Sequence, residues 1–233
     1  MSGSDKARVG GRPATVGVDD IVRVGRAIGM RELTLKAVAS ELGVSSTALY
    51  RHVDGRWALE RLIGESLLAE LEPRDDPDHD TVRHLLSFGL RLRAFILDRP
   101  GLAAYLQVLF PRGDAGRRLL AAEVAALGRR GHSAEAAIAL SGAVASLTIG
   151  YAVAEEAQRE HADGLDAERR EVEERLRADP GLGPAHGSLP PVAAADYVRL
   201  VLTAAIRGLV AAAPPGRPLA ETVAELAAAG EGV

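Results

Sequence analysis

The chain has 233 residues, 47% of them hydrophobic and 26% charged, with a formal net charge of −4 and no cysteine. Such a length accommodates one large domain, or a small one joined to a larger one, and the lack of cysteine excludes a disulfide framework or a thiolate metal centre. Abundant Ala and Leu, with only 3% aromatic residues, point to an all-α fold.

Residues 1–15 are Gly-rich and polar, carry Lys6, Arg8 and Arg12, and lack the apolar core of a signal peptide, so they read as a disordered arm. A first helix is expected over 18–28 with Ile21, Val22 and Ile28 inward and Gly29 as its stop. Residues 33–56, LTLKAVASELGVSSTALYRHVDGR, hold the most informative motif. Leu35, Val38, Ala39 and Leu42 recur at helical spacing behind Thr34 as N-cap, and Ala39 is small enough for a second helix to cross closely. Gly43 suits the positive φ of a chain leaving one helix for another. Ser45 then caps a second helix, over 45–52, with Leu49 and Val53 as its clear inward anchors. Ser46, Thr47, Ala48, Tyr50, Arg51 and His52 are left on or near its outer surface. That is a helix-turn-helix whose second helix can enter a major groove. Any packed helix pair needs an inner face and a turn, but ordinary packing does not require the cluster Tyr50-Arg51-His52.

Residues 56–71 form a helix joining this head to the body, with Trp57, Leu59, Leu62, Ile63, Leu67 and Leu68 as a core stripe, and the Pro-bearing charged stretch 73–80 is a loop. Body helices are expected over 81–98, 102–109, 115–130, 134–158, 166–178 and 193–213. Residues 160–177 are charged enough to lie in water, and 179–191, with four prolines and three glycines, read as a flexible loop. The division is therefore an arm (1–15), a helix-turn-helix domain (16–56) and a helical regulatory and dimerisation domain (57–233).

Helices 134–158 and 193–213 are apolar around much of their circumference. Ser141, Gly142, Ser146 and Thr148 interrupt the first too often for a membrane span, so a cytoplasmic protein without membrane contact is expected. A second copy of the chain is the economical cover, with Ser141, Ala145, Gly150, Ala204, Ala205 and Gly208 permitting close approach; a deep monomeric core is the alternative. Residues 1–60 carry nine basic and seven acidic side chains, so the head is positive and the remainder acidic. This distribution fits a small DNA footprint and argues against a protein that coats DNA. Only Lys6 and Lys36 among the 28 basic residues are lysine, a bias typical of a GC-rich bacterial genome.

Polar or aromatic side chains on otherwise apolar body helices are the candidates for a ligand cavity: His84, Phe88, Arg91, Tyr105, Gln107, Glu123, Ser141 and Tyr151. The six histidines show no ligand or triad spacing, and neither a Gly-rich phosphate loop nor a nucleophile elbow is present, so no catalytic site is expected.

Residues 18–71 resemble the DNA-binding head of the TetR family of bacterial regulators. Arg99-Pro100-Gly101, Arg130-Gly131-His132-Ser133 and Leu147-Thr148-Ile149-Gly150 followed by Glu155-Glu156 more loosely resemble the regulatory domain of its tetracycline-repressor branch. The resemblance implies a ligand-responsive regulator of double-stranded operator DNA, as a repressor released by a small molecule or, alternatively, an activator or corepressor-dependent regulator. It implies that Thr34, Ser45, Tyr50 and His52 hold phosphates, with Arg56 in place of a phosphate-touching lysine, and that Lys36, Ser46, Thr47 and Arg51 read base edges. It also implies a homodimer joined through a four-helix interface of 134–158 and 193–213. In the branch, positions resembling Ser87, Arg91, Tyr105 and Glu123 bind drug and magnesium. Tyr105 replaces the metal-binding histidine, and a neutral phenol is a poor magnesium ligand. The expectation is therefore no metal and no cofactor, but a larger apolar or aromatic effector.

Overall fold

The computed structural model describes residues 16–109 and 113–230, and the expected arm, residues 1–15, lies outside them. The fold is all-α among these residues, a small N-terminal head followed by a larger helical body. The head comprises α1 (Val18–Ile28), α2 (Leu35–Glu41) and α3 (Ser46–Leu49), and α4 (Gly55–Leu68) leads out of it. The body holds α5 (Thr81–Leu97), α6 (Leu102–Leu109), α7 (Asp114–Arg129), α8 (Ala134–Glu160), α9 (Ala162–Ala178), α10 (Gly183–Gly187), α11 (Ala194–Ala212) and α12 (Leu219–Gly230).

In the head, Ile21 and Val24 of α1 are buried with Val38, Ala39, Leu49 and Val53. Val22 and Ile28, expected inward, are only half-buried at the margin of this core. The inner row of α1 runs instead through Gly25, where a Cβ would approach Ile63 Cδ1 to 2.5 Å. Helix α4 thus lies directly on α1, and its Leu59, Ile63, Leu67 and Leu68 are buried. Trp57 is a correction: it is 57% exposed rather than part of that stripe. It shares a helical row with Gly64 and Leu68, but two turns before Gly64 no body helix covers the row.

Helix α8 is the body's centre, packing against α5, α6, α7 and α11. It is long and apolar enough to cross a membrane, but half of its most apolar stretch is buried inside the fold. Val144, Ile149 and Ala152 face inward, opposite Leu85, Leu92, Leu106, Leu127, Leu202 and Ile206. Ser141 and Ala145 are also buried within the protomer, so they do not belong to the open face. That face is made by Ala139, Leu147, Gly150 and Ala154 of α8 with Leu200, Ala204 and Gly208 of α11. Helix α9 lies in water, as its charge requires. The stretch expected to be a flexible loop contains α10, preceded by a turn in which Asp179 Oδ1 accepts from the N–H groups of Gly181 and Leu182 at 2.8 and 2.9 Å. Helix α12 has no counterpart among the expected helices, although its Ala, Leu and Glu are strong helix formers.

Besides the packing of α6 on α4 and the bridge from Arg26 through Glu70 to Arg99, head and body meet at two places. At the first, Gly101 (φ +87°) opens α6 against the α1–α2 turn, Arg31 pairs with Glu160 at 2.7 Å, and Gly101 N–H donates to Glu156 Oε2 at 3.3 Å. At the second, α4 and α7 bind each other's ends. Glu65 Oε2 accepts from the Ala115 N–H at 2.8 Å, and Arg118 donates to the carbonyls of Ala69 and Leu71 at 2.9 and 3.3 Å. A Cβ at Gly101 would come within 2.5 Å of the Arg31 nitrogen. Gly101→Ala is therefore expected to destabilise the protein in urea titration by about 2 kcal/mol or more, combining left-handed backbone strain with that collision. Gly128→Ala, with nothing within 4 Å of its Cβ, should be neutral or slightly stabilising.

Candidate nucleic-acid interface and effector cavity

The head presents a continuous polar surface because its inner residues leave no alternative. Thr34 caps α2, its hydroxyl oxygen accepting from Ala37 N–H at 3.0 Å, which leaves its O–H free to donate outward. Gly43 adopts φ +67° and turns the chain into α3. Leu49 is fully buried and Val53 nearly so, which fixes the roll of the short helix. Ser45 occupies the N-cap position, but its side chain makes no capping bond, so that hydroxyl is also free. Lys36, Ser45, Thr47, Arg51 and His52 are exposed, Ser46 is half-buried, and Tyr50 is 56% exposed. Arg56 stands one turn away, its Nε donating to Glu60 Oε1 at 2.6 Å and its guanidinium 5.7 Å from the Trp57 ring centre. All nine residues expected to meet DNA thus lie on one small domain, and none is deeply buried.

In the body, a cavity of about 240 Å³ opens between α5, α7 and α8. Phe88, Leu119, Leu120, Ile138 and Ala145 give it apolar walls, and Glu123, Ser141 and Ser146 are its polar residues. The Ser141 hydroxyl is already committed, donating to Ala137 O at 2.7 Å. Phe88, Leu119 and Glu123 also border a space of about 10 Å³ on the side of Arg91 and the α4–α5 loop. Of the seven residues expected to bind ligand, Phe88, Glu123 and Ser141 line the larger cavity and Arg91 the smaller. His84 lies behind Glu123, and half-buried Ser87 lines neither space.

Tyr105 departs from expectation. It is buried between α4 and α6, with its ring where a Cβ on Gly64 would fall, and it lines neither cavity. Burial, reinforced by the Glu65 carboxylate, pushes its phenol up to about 12, and the hydroxyl has no partner. Gln107 is exposed and Tyr151 half-buried. No group of three His, Asp or Glu among the described residues is arranged to hold a metal ion.

A chain of polar contacts runs from the cavity to the α4–α5 loop. Glu123 Oε2 lies 2.9 Å from His84 Nε2, and His84 Nδ1 lies 3.3 Å from Asp75 Oδ1. Asp75 in turn receives Arg130 at 2.7 Å and Arg129 through Nε at 2.9 Å. Arg91 donates to the carbonyls of Glu72 and Arg74, and Arg130 to those of Asp76 and His79. Sequence reading missed Asp75 and the arginine pair. The doubled Arg129-Arg130 at a helix end was the only available signal, because the partner lies across a loop.

This geometry can be set beside known proteins. Neither a scan against protein-family models nor a search of the curated proteins returns a match. Among solved structures, ActR from Streptomyces coelicolor in complex with actinorhodin superposes with a TM-score of 0.74 at 22% identity, over 88% of this chain and all (100%) of that one. The fold is that of TetR-family regulators. A variant of TetR from Acinetobacter baumannii AYE in complex with minocycline shares it with a TM-score of 0.63 at 20% identity, over 86% of this chain and 94% of that one. In this version of the TetR fold, Asp75 carries a measurable load. Burial alone would raise its carboxyl, but hydrogen bonds from Arg130 and Arg129 outweigh that effect and hold it down at about 2. A carboxylate held below its unfolded value of 3.8 stabilises the fold above that pH and loses the contribution as pH falls toward 2. Asp75→Asn should therefore lower unfolding free energy at pH 7 by about 2 kcal/mol, a deficit that shrinks in acid titration below about pH 4.

Proposed function

We propose that the chain is a homodimeric, ligand-responsive regulator that binds operator DNA through α2 and α3 and is released from it by a small molecule, acting as a cytoplasmic repressor rather than an enzyme. The observation carrying this reading is the outer surface of α3 and of the turn that follows it, where Thr47 on the helix and Tyr50 and Arg51 in the turn stand exposed above the buried anchors Leu49 and Val53. A helix so anchored offers its polar row to a major groove without rearrangement. Thr34, Ser45, Tyr50 and His52 hold phosphates, and Arg56 joins them by exchanging Glu60 for a phosphate. Lys36, Ser46, Thr47 and Arg51 read bases, with Arg51 as the residue suited to a guanine. The division between the reading head, residues 16–56, and the body from residue 57 runs through the first turns of α4.

Pairing of two chains supplies the second half-site. The open faces of α8 and α11 carry small and apolar residues, and an open groove beside Leu200, Thr203 and Ala204, flanked by Asp196, Arg199 and Arg207, leaves α11 without cover. A two-fold axis along these helices would bury both faces against their own copies.

The cavity beside Glu123 receives the effector. Solved neighbours that carry actinorhodin and minocycline support a small organic molecule in this role. Occupation acts through α7, which contributes Leu119, Leu120 and Glu123 to the cavity wall and is tied to α4 at Glu65 and Arg118. A ligand that displaces α7 moves α4 with it and alters the spacing of the two heads. Release follows only if the ligand binds that altered state more tightly. Trp57, exposed at the far end of α4, is not part of this route.

Selection from random duplex DNA should enrich an inverted repeat with half-sites about 10 bp apart, and recovery of no common sequence would refute the reading. Arg51→Ala is expected to relax preference at one base pair by about 1 to 3 kcal/mol and spare random DNA, whereas Tyr50→Phe weakens both alike. Ala204→Arg should leave a folded monomer in sedimentation equilibrium that no longer binds the repeat. A dimer persisting in that variant would place the interface elsewhere.

A further inference from the structure

We infer that the cavity between α5, α7 and α8 selects an uncharged aromatic molecule bearing a hydroxyl group, which donates its hydrogen bond to Glu123 Oε1. The inference rests on the reading of this cavity as the effector site and adds the chemistry of what enters it. Glu123 has two carboxyl oxygens, and only Oε2 has a protein partner, His84 Nε2 at 2.9 Å. The hydroxyls of Ser141, turned back on its own helix, and of Ser146 are the other polar groups of a mainly apolar wall, and Oε1 is the carboxyl oxygen without a protein partner and the stronger acceptor. It is an acceptor in either proton arrangement. If the imidazole carries the shared proton, Glu123 is a carboxylate; if Glu123 carries it on Oε2, Oε1 is a carbonyl oxygen. A ligand must therefore bring a donor, because burying an apolar edge against Oε1 leaves that oxygen desolvated and unpaired.

The surrounding charge decides which donor. Around Glu123 and His84 stand two further carboxylates, Asp75 and Glu72, and four guanidinium groups, Arg74, Arg91, Arg129 and Arg130. The setting is net positive, so an ammonium group would enter against repulsion, and a carboxylate would set its own oxygens against Oε1. A neutral hydroxyl meets neither objection. The volume of about 240 Å³ and the Phe88 ring suit one or two fused rings.

The test uses the full purified chain and four probes in isothermal titration calorimetry: naphthalene, naphthol, naphthylmethylammonium and naphthoate. Wild type is expected to bind naphthol roughly tenfold tighter than naphthalene and to bind the two ions more weakly than naphthol. Glu123→Leu should bind naphthalene and naphthol equally. Should that variant fail to fold, Glu123→Gln, which can turn an amide N–H toward the cavity, should admit naphthoate. Ile138→Trp, which fills the cavity wall, should abolish binding of all four. Naphthalene matching naphthol in wild type, or an ion binding tightest, would overturn the hydroxyl-selective site while leaving the cavity reading standing. Binding that survives Ile138→Trp, or no binding of any probe, would overturn both.

Discussion

The hydrogen bond from Ala115 N–H to Glu65 is the constraint on which the two halves of this molecule depend. Helix α4 belongs to the head through Leu59 and Ile63 and to the body through Gly64 and Glu65. A carboxylate at the start of α7 satisfies one of the N–H groups that a helix leaves unpaired and lies at the positive end of its dipole. Arg118 does the reciprocal work at the other end, where the last carbonyls of α4 need donors. Each helix thus completes the other, and neither can shift along its axis without exposing polar groups the fold has paired.

The same economy governs the α4–α5 loop. A segment without secondary structure must find partners for its carbonyls, and here Arg91, Arg118 and Arg130 supply them from α5 and α7. Asp75 fixes the loop from the opposite sign, holding Arg130 and reaching His84. The Arg-rich composition therefore has a structural use: a guanidinium can serve two carbonyls at once, where an ammonium would act as a single mobile point charge. The polar chain from Glu123 through His84 to Asp75 links the cavity to that loop.

Local signals in the sequence carried most of the helical framework. Gly29 does end α1, Gly43 does take a positive φ, Thr34 does cap α2, and α1 and α6 span the expected residues. What local signals could not carry was contact between distant segments. Tyr105 reads as a polar-tipped residue on an apolar helix, and only the approach of α6 to Gly64 puts it at the junction. Trp57 fits the heptad-like stripe of α4 but lies before the body begins to cover that row. Ser141 and Ala145 have the small size of interface residues, yet their angular position on α8 turns them toward the cavity and leaves Ala139, Leu147 and Gly150 for the open face. The omission of α12 was of another kind, since its composition was helical throughout.

The arrangement also sets the scale on which a ligand can act. Coupling between two sites amounts to the difference in ligand affinity for two states, typically about 1 to 3 kcal/mol. The polar contacts joining head and body are of that order: part-buried charge-assisted hydrogen bonds at Glu65 and Glu156, each worth about 1.5 to 3 kcal/mol, and exposed contacts of Arg118 and Arg31, each worth about 1 kcal/mol or less. A junction built from a large apolar interface would resist so small a bias. Here the apolar part of the junction is the packing of Tyr105 on Gly64, and the polar contacts at the helix ends are the part within reach of the binding energy of one small molecule.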